Sequence, residues 1–508
     1  MMYRLVALIV SAGMAAILAR FQAAPFWPGF LAFFVVLAAG AAILELAVAQ
    51  AEEEPFVRRV SWGSFLIRLA LGLGLYLSLS FYGYPNEQER AGYVFTDAYR
   101  RDQQAWELAQ SGLPLTRAFE ERFYADQYGG LLAISAALYR YLSPDAHRPL
   151  LIVALAAWVG ALGGVYFWRL ARRALPLQAA RMATWLFAFY PEALLLGASQ
   201  MREPFLLTFS ALFFFGVMRA REEGLLFHWE ALAGIGGLLL ISPAGALAFS
   251  LALAFWLWME RGKRLPGWVW GALLSLVLVG AALFVVSVRG TSVQEGSGLD
   301  VIGEWSRLVV RWGAYQLERS SGWVQKLFRE MPPIFQLPFV VGYGFLQPIL
   351  PAALVEPASP LRQAIAIGRA LGWYILLPLL LFAFRAVWKS PMPERRGWMA
   401  LLILVWAWMI VAALRGGGDQ WDNPRYRLFF LVFQALLAAY AWIQRDRWWR
   451  RLLAVEAFAL LVFLQWYLSR YYHLGGRLPF FAMIGLILAF ALLMFLGGWF
   501  WDRRRSGR

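Results

Sequence analysis

The sequence predicts an all-α polytopic membrane protein with about 14 transmembrane helices. Of its 508 residues, 61% are hydrophobic and only 15% are charged, whereas about a quarter of the residues in a soluble domain are charged. Apolar runs of about 18 residues or more recur along the whole chain, and each can cross a hydrocarbon core of about 30 Å. Lysines and arginines lie mainly in the short loops between these runs, as membrane insertion requires.

Composition also excludes several kinds of site. The loop lysines and arginines account for the net charge of +16, so the expected partner is the lipid bilayer and not nucleic acid. The chain has no cysteine, which excludes disulfides, thiolate metal sites and cysteine nucleophiles. Its three histidines share no local spacing, which argues against a His-rich zinc site.

The apolar runs define the predicted spans and divide the chain into four segments. The first run has features of a signal peptide, but we favour an uncleaved span. The spans are residues 3–20, 28–49, 62–83, 148–170, 180–198, 203–219, 229–243, 244–259, 267–288, 369–387, 398–414, 426–443, 451–468 and 479–500. The segments are two additional N-terminal spans in 1–61, a core in 62–288 with a first outer loop at 85–147, a long extracytoplasmic or interfacial loop in 289–368, and C-terminal spans in 369–508.

Basic loops predict which side of the membrane each segment faces. Arginine-rich loops and both chain ends are expected in the cytoplasm. The stretches outside are then residues 85–147, 199–202, 289–368 and 415–425. An odd number of crossings must separate residue 127 from the cytoplasmic Arg172, so the short apolar segment 129–142 is predicted to be interfacial or re-entrant. The proline-broken patch from Pro332 to Leu354 is interpreted in the same way.

The first outer loop carries many ionisable groups beside the membrane. Phe95 to Ala109 is predicted to be a helix, with Thr96 or Asp97 as its N-cap. On this helix Asp97 and Arg101 share a face, one turn apart. A solvated amphipathic helix with an ion pair is the structural alternative to a functional Asp97. Three residues are expected to form an apolar face toward the bilayer surface: Ala105, Leu108 and Ala109.

Two more acids lie near the next outer turn. Glu203 precedes Pro204, where both a proline and a carboxylate suit a first helical turn, so its role is either structural or that of a second acid at the site. Glu192 lies within a predicted span, where an ionisable side chain usually faces protein or water.

Late in the chain, Arg425 and Arg427 precede a span on its predicted outer side, against the usual charge bias. Arginine binds a lipid phosphate well through bidentate hydrogen bonds. Ordinary contact with lipid headgroups is the structural alternative.

The order of these features resembles the GT-C superfamily of glycosyltransferases, which use polyprenyl-phosphate sugars, and in particular its protein mannosyltransferase and aminoarabinose-transferase branch. The resemblance covers residues 62 to 220 best and follows an acid, a tyrosine and a glycine in the first outer loop, then basic and proline-containing turns. The matching positions are Asp97, Tyr99, Gly112, Tyr128-Gly129-Gly130, Arg148, Ala171-Arg172-Arg173, Pro191, Ser199, Glu203-Pro204 and Arg425-Tyr426.

The resemblance implies an inverting sugar transfer at the extracytoplasmic face of the cell membrane. Asp97 would be the base, Glu203 a second acid, and a lipid, glycan or protein the acceptor. The implied contacts to the donor phosphate are Arg425 and Arg427, with Arg101 and Arg202 as lesser candidates; the implied pocket residues are Tyr99, Asp102, Tyr426 and Glu192. Some relatives use a divalent cation between their acids, so a metal ion held by Asp97 and Glu203 stays open.

Three other functions compete with this interpretation. A transporter or flippase for a lipid-linked substrate would be expected to contain repeats and broken helices at mid-membrane, whereas the acids here lie at the predicted outer edge. A lipid-linked glycan ligase or polymerase is a second alternative. A non-catalytic scaffold would not account for Asp97, Glu203 and Arg425 all lying on predicted outer turns.

Overall fold

A computed structural model describes residues 2–22, 25–123, 126, 128–261, 330–392 and 394–506. Across these ranges the regular elements are helices, and no strand occurs among them. The chain divides into two compact units. The first comprises Met1–Trp305 with Leu428–Leu436, and the second comprises Ser306–Arg427 with Leu437–Arg508.

The first unit contains long helices joined by short turns, with a group of shorter elements between its third and fourth long helices. Its helices are α1 Met2–Arg20, α2 Phe26–Val48, α3 Glu54–Tyr82, α4 Glu87–Arg90, α5 Thr96–Gln110, α6 Gly130–Leu142, α7 Leu150–Ala174, α8 Leu177–Phe189, α9 Pro191–Gly197, α10 Glu203–Glu222, α11 Trp229–Ile241 and α12 Pro243–Arg261. Two 3₁₀ turns, Leu115–Phe119 and Glu121–Phe123, lie between α5 and α6.

The later part of the chain continues the all-helical pattern. Its helices are α13 Pro333–Leu346, α14 Leu350–Val355, α15 Pro360–Lys389, α16 Glu394–Gly416, α17 Asp422–Leu428, α18 Leu431–Ile443, α19 Arg447–Tyr471, α20 Phe480–Leu492 and α21 Gly498–Ser506. A π-helical turn, Leu493–Gly497, joins α20 to α21.

The described residues contain nine helical segments that are long and apolar enough to cross a membrane. They are Phe26–Val48, Glu54–Tyr82, Leu150–Ala174, Glu203–Glu222, Pro243–Glu260, Pro360–Lys389, Glu394–Gly416, Arg447–Tyr471 and Phe480–Arg503. A tenth is reached if α17 and α18, which are bent at a short break, count as one span. The protein is therefore an α-helical, multi-pass membrane protein, as predicted. The predicted span 267–288 lies outside the described residues.

Some of the predicted spans have a different form in the structure. Residues 180–198 are not one continuous helix, because α8 ends at Phe189 and α9 starts at Pro191. Proline lacks the N–H that would continue the hydrogen-bond ladder, and its ring clashes with the preceding turn. The predicted span 229–243 corresponds to α11, whose 13 residues extend only about 20 Å at 1.5 Å per residue.

The first outer loop folds into a hairpin of α5 and α6, which differs from the prediction in two respects. The N-cap of α5 is Phe95, whose side chain has no acceptor, and Thr96 lies inside the helix, where its hydroxyl donates to the side chain of Gln88. The predicted apolar face does not meet the bilayer surface. Its members are buried in a core shared with α6, which includes Ala105, Leu108, Ala109, Leu132, Ala136 and Tyr139.

The two segments predicted to be interfacial or re-entrant are short helices. Segment 129–142 forms α6, whose 13 residues extend about 20 Å, less than the hydrocarbon core of about 30 Å. The patch from Pro332 to Leu354 is divided between α13 and α14. Their positions relative to the bilayer stay a prediction.

The second N-terminal helix, α2, packs directly on α7, and α1 packs on α2. Arg148, fully buried just before α7, donates to the backbone carbonyl of Pro25 at 3.3 Å and forms two hydrogen bonds of 2.7 Å with Asp145. Two glycines of α2 allow the close approach: a Cβ added to Gly29 would lie 2.9 Å from Nε of Arg148, and one added to Gly40 would lie 2.3 Å from the Trp158 ring. Small residues often bring membrane helices this close.

Candidate functional site

The buried carboxylate of Asp102 holds α5 in place. Its two oxygens accept hydrogen bonds from the hydroxyls of Tyr93 and Tyr139, each 2.5 Å long, and Nε2 of His147 lies 2.8 Å from Oδ2. Trp106, one turn further along α5, stacks on the His147 ring at 5.2 Å. Asp102 therefore connects α5 to α6 and to the turn that precedes α7.

Both tyrosines serve Asp102 as protonated donors. Burial raises the pKa of Tyr139 well above its usual value of 10, and the negative charge of Asp102 raises it further. The same two causes raise the pKa of Tyr93 well above 10. These hydroxyls therefore keep their protons at neutral pH and can donate them in hydrogen bonds to Asp102.

A second contact connects α5 to the turn between α9 and α10. The buried Arg101 donates a hydrogen bond to the backbone carbonyl of Gln200. Gln200 has φ = +55°, in the left-handed region, and its side-chain amide donates to the carbonyl of Pro149 at 3.0 Å. The 199–202 turn is thus attached to the same helix that carries Asp97.

The two predicted catalytic acids have different surroundings. Asp97 is exposed, in the first turn of α5 and one turn before Arg101. Glu203 is buried at the first position of α10, three residues after Gln200, and Pro204 follows it in the first turn. The Arg101–Gln200 hydrogen bond therefore joins the helix of one acid to the turn that leads into the other.

The remaining predicted residues of this unit lie around these elements. The Tyr99 hydroxyl donates to Glu87 at 2.7 Å, beside the exposed start of α5. The guanidinium of Arg202, just before α10, lies 5.3 Å from the ring centre of Tyr128. Glu192 is fully buried at the start of α9. Asp102, predicted as a pocket residue, is also buried and connects the elements described above.

Two of the predicted donor-phosphate residues, Arg425 and Arg427, belong to the second unit. Arg427 is buried, its guanidinium lies 3.3 Å from the ring centre of Trp373, and it donates to the carbonyl of Gln347 at 2.7 Å. Arg425 is also buried, and Tyr426 is packed under the guanidinium of Arg415 at 4.4 Å. Arginine is thus concentrated on and around α17, among aromatic rings.

Two arginines of α15 that sequence reasoning missed belong to the same group. Arg362 and Arg369 are two turns apart, both are buried, and their guanidiniums lie 4.8 and 4.5 Å from the ring centre of Trp421. Arg369 also donates to the Trp421 carbonyl at 3.0 Å. Their spacing of seven residues, which places both on one face in the first half of the helix, is the signal by which they are recognisable.

No metal centre can be assigned from these contacts. Asp97 and Glu203 supply two carboxylates, and within the described ranges no three His, Asp or Glu side chains come together as a ligand group. Divalent cations held by proteins usually have more protein oxygen ligands than two carboxylates alone provide.

Comparisons with known proteins do not assign the chain to a family. No protein-family model, no curated protein and no solved structure matches it.

Proposed function

We propose that this protein is a membrane glycosyltransferase of GT-C type, which transfers a sugar from a polyprenyl-phosphate donor to an acceptor on the extracytoplasmic side of the cell membrane. The observation that supports this most is the hydrogen bond from Arg101 to the carbonyl of Gln200. It brings the helix of an exposed acid, Asp97, to the turn that leads into a buried acid, Glu203. A base must be accessible to its substrate, and Asp97 is the more exposed of the two.

In the proposed reaction Asp97 takes the proton of an acceptor hydroxyl as that oxygen attacks the anomeric carbon. The bond from this carbon to the phosphate oxygen breaks, its electron pair leaves with the lipid phosphate, and the configuration inverts. Glu203, the second acid of the proposed site, would orient the acceptor. General-base assistance of this kind contributes roughly 10²–10⁴-fold to the rate.

The leaving phosphate requires cations, and the proposal assigns this role to Arg425 and Arg427, with Arg101 and Arg202 as further candidates. Arg427 is held by Trp373 and Gln347, so its guanidinium is pre-oriented and loses little freedom on binding an anion. Tyr99 and Tyr426 are the proposed pocket aromatics.

The test is sugar transfer from a labelled polyprenyl-phosphate sugar in liposomes, with donor binding measured in parallel. Asp97→Asn keeps the shape of the side chain but removes the base, so transfer should fall roughly 10²-fold or more while donor binding is retained. The matched control is Glu107→Gln, an exposed acid on the same helix that pairs with Arg122 on the surface. It should transfer sugar at the unmodified rate.

Two results would overturn the proposal. If Asp97→Asn transfers sugar as fast as the unmodified protein, Asp97 is not the base. If the unmodified protein moves the labelled lipid across the bilayer and transfers its sugar to none of a broad panel of lipid, glycan and peptide acceptors, the transporter function replaces the enzyme.

A further inference from the structure

A groove runs along the outside of the α15–α16 hairpin in the second unit. Its cavity has a volume of about 760 Å³ and apolar walls, formed by Phe384, Trp388, Ile403, Trp406, Ala407 and Ile410. Several of these side chains are strongly exposed, including Trp388 at 70% and Phe384 at 49%. Both helices are long and apolar enough to span a membrane, so this groove faces lipid unless protein covers it.

One end of the groove is cationic. Arg385 and Lys389 line it beside the turn between the two helices, and both donate to Oδ2 of Asp446, at 3.0 and 2.7 Å. Burial alone would raise the pKa of Asp446, but the hydrogen bonds from Lys389 and Arg385 outweigh it and lower that pKa. One ionised carboxylate therefore serves two cations and leaves a positive charge at this end.

The charges of the adjoining turn add to this surplus. Arg395 donates to the carbonyl of Trp388, and its guanidinium lies 4.7 Å from the centre of the Trp388 ring. Arg396 follows it, and Glu394 is the acid beside them. The cationic end therefore has the composition that attracts an anionic headgroup at a membrane surface.

The length of the groove matches one leaflet. Met399, near the cationic end, and Ile410, at the other, are separated by 11 residues of α16. At 1.5 Å per residue this is about 16 Å, close to half of a hydrocarbon core of about 30 Å. An acyl chain lying along the groove would place its headgroup at the turn.

We propose that this groove is a binding site for an anionic phospholipid of the bilayer, with an acyl chain along Phe384, Ile403 and Ala407 and the headgroup at Arg385 and Lys389. The site is independent of the proposed sugar transfer, because it depends only on the α15–α16 hairpin and on Asp446. The charge surplus selects an anionic headgroup over a zwitterionic one.

The absence of native cysteine makes the site directly testable. Ala407→Cys is labelled with a small fluorophore and the protein is reconstituted in nanodiscs. The quenchers are phosphatidylglycerol or phosphatidylcholine with brominated acyl chains, each at a low mole fraction. Phosphatidylglycerol should quench several-fold more strongly than phosphatidylcholine. Each basic residue near the membrane surface raises the affinity for an anionic lipid roughly fivefold. The matched position is Ile375→Cys, 60% exposed on α15 outside the groove, where the two lipids should quench equally.

A second substitution tests the headgroup contact. Lys389, whose side chain is 52% exposed, can be substituted without leaving a cavity in the core. In the Ala407→Cys background, Lys389→Gln should reduce the preference for phosphatidylglycerol roughly fivefold and Lys389→Arg should retain it.

Three results would overturn the proposal. Equal quenching by both lipids at residue 407 would make the groove an ordinary bilayer contact. Quenching by neither lipid would mean that protein covers it. Displacement of the brominated phosphatidylglycerol by a trace of polyprenyl phosphate would assign the groove to that lipid instead. None of these results bears on sugar transfer by the unmodified protein, so failure of the lipid site would not count against the proposed enzyme activity.

Discussion

Two aspartates on α5, five residues apart, show how environment separates residues of the same type. Asp97 is exposed, whereas Asp102 is buried and accepts hydrogen bonds from Tyr93 and Tyr139. The sequence predicts the helix and the shared face of Asp97 and Arg101. It does not predict that Asp102 meets Tyr139, because that contact depends on how the hairpin closes and not on helical periodicity.

At this scale we predict that Asp102→Ala destabilises the protein by about 3 kcal/mol, because it leaves two buried hydroxyls without their acceptor. The control is Glu107→Ala on the same helix, whose surface pair with Arg122 should be worth no more than about 0.5 kcal/mol. Both values can be measured by denaturant or thermal unfolding in detergent. Equal stability of the two variants would contradict the structural role of Asp102.

The raised pKa of Tyr139 predicts that the stability of the protein falls at alkaline pH. The native pKa of Tyr139 lies well above 10, so above about pH 10 the unfolded chain loses this proton while the native protein keeps it. The unfolded state then binds fewer protons, and stability falls as the pH rises. Tyr139→Phe removes this contribution, so its Tm should fall less than that of the unmodified protein between about pH 9 and pH 11.

The comparison variant is Tyr141→Phe. Tyr141 lies on the same helix and is 70% exposed, so its removal should leave the decline of Tm with pH unchanged. If the Tm of both variants declines equally with pH, the pKa of Tyr139 is the same in the folded and unfolded states, as it is for an exposed phenol.

At the scale of the element, apolar runs predict where helices lie better than where they bend. The runs that became α2, α3, α7, α15 and α16 agree with the predicted spans. The break at Pro191 was not predicted, because apolar composition continues through it. Likewise, the apolar positions of α5 were correctly identified but assigned to the wrong partner, since periodicity identifies a face and not what covers it.

Packing between α10 and α11 offers a prediction that separates contact from helix propensity. A Cβ added to Gly234 would lie 2.5 Å from the backbone N of Phe213, whereas one added to Gly236 would meet nothing within 4 Å. Backbone atoms cannot move aside cheaply, so Gly234→Ala should destabilise the protein by about 1–3 kcal/mol. Gly236→Ala should be neutral or stabilising by up to about 1 kcal/mol.

Thermal unfolding of the two alanine variants, two residues apart on one helix, provides the measurement. If both lower the Tm equally, the effect comes from helix α11 itself and not from its contact with α10.

At the scale of the whole molecule, the membrane class follows from composition, but its orientation rests on charge alone. The chain has no cysteine, so single cysteines can report the side of the membrane. Arg90→Cys, in the first outer loop, should react with an impermeant thiol reagent on intact cells. Met392→Cys, 62% exposed in the turn after α15, should react only after lysis. The reverse pattern would invert the topology and move Asp97 to the cytoplasm.

The site could be predicted only in part at this scale. Residue types and order led to Asp97, Glu203 and Arg425, each on a turn between spans. Their long-range partners, such as Arg362 and Arg369 around Trp421, depend on which helices become neighbours, and hydrophobic patterns do not determine this. In a bilayer, the lipid-facing and protein-facing sides of a helix are similarly apolar, so the pattern carries little information about partners.

The hydrogen bonds of the buried Arg148 to Asp145 and to the carbonyl of Pro25 have a consequence for the order in which the protein is assembled. The carbonyl of Pro25 and the glycine face of α2 leave the ribosome long before the arginine that they receive. At about 5–20 residues per second, the interval of over a hundred residues lasts roughly ten seconds. Throughout that interval the face of α2 that packs on Arg148 and Trp158 lacks these partners, so the packing of α2 on α7 is complete only after residue 158 has been made.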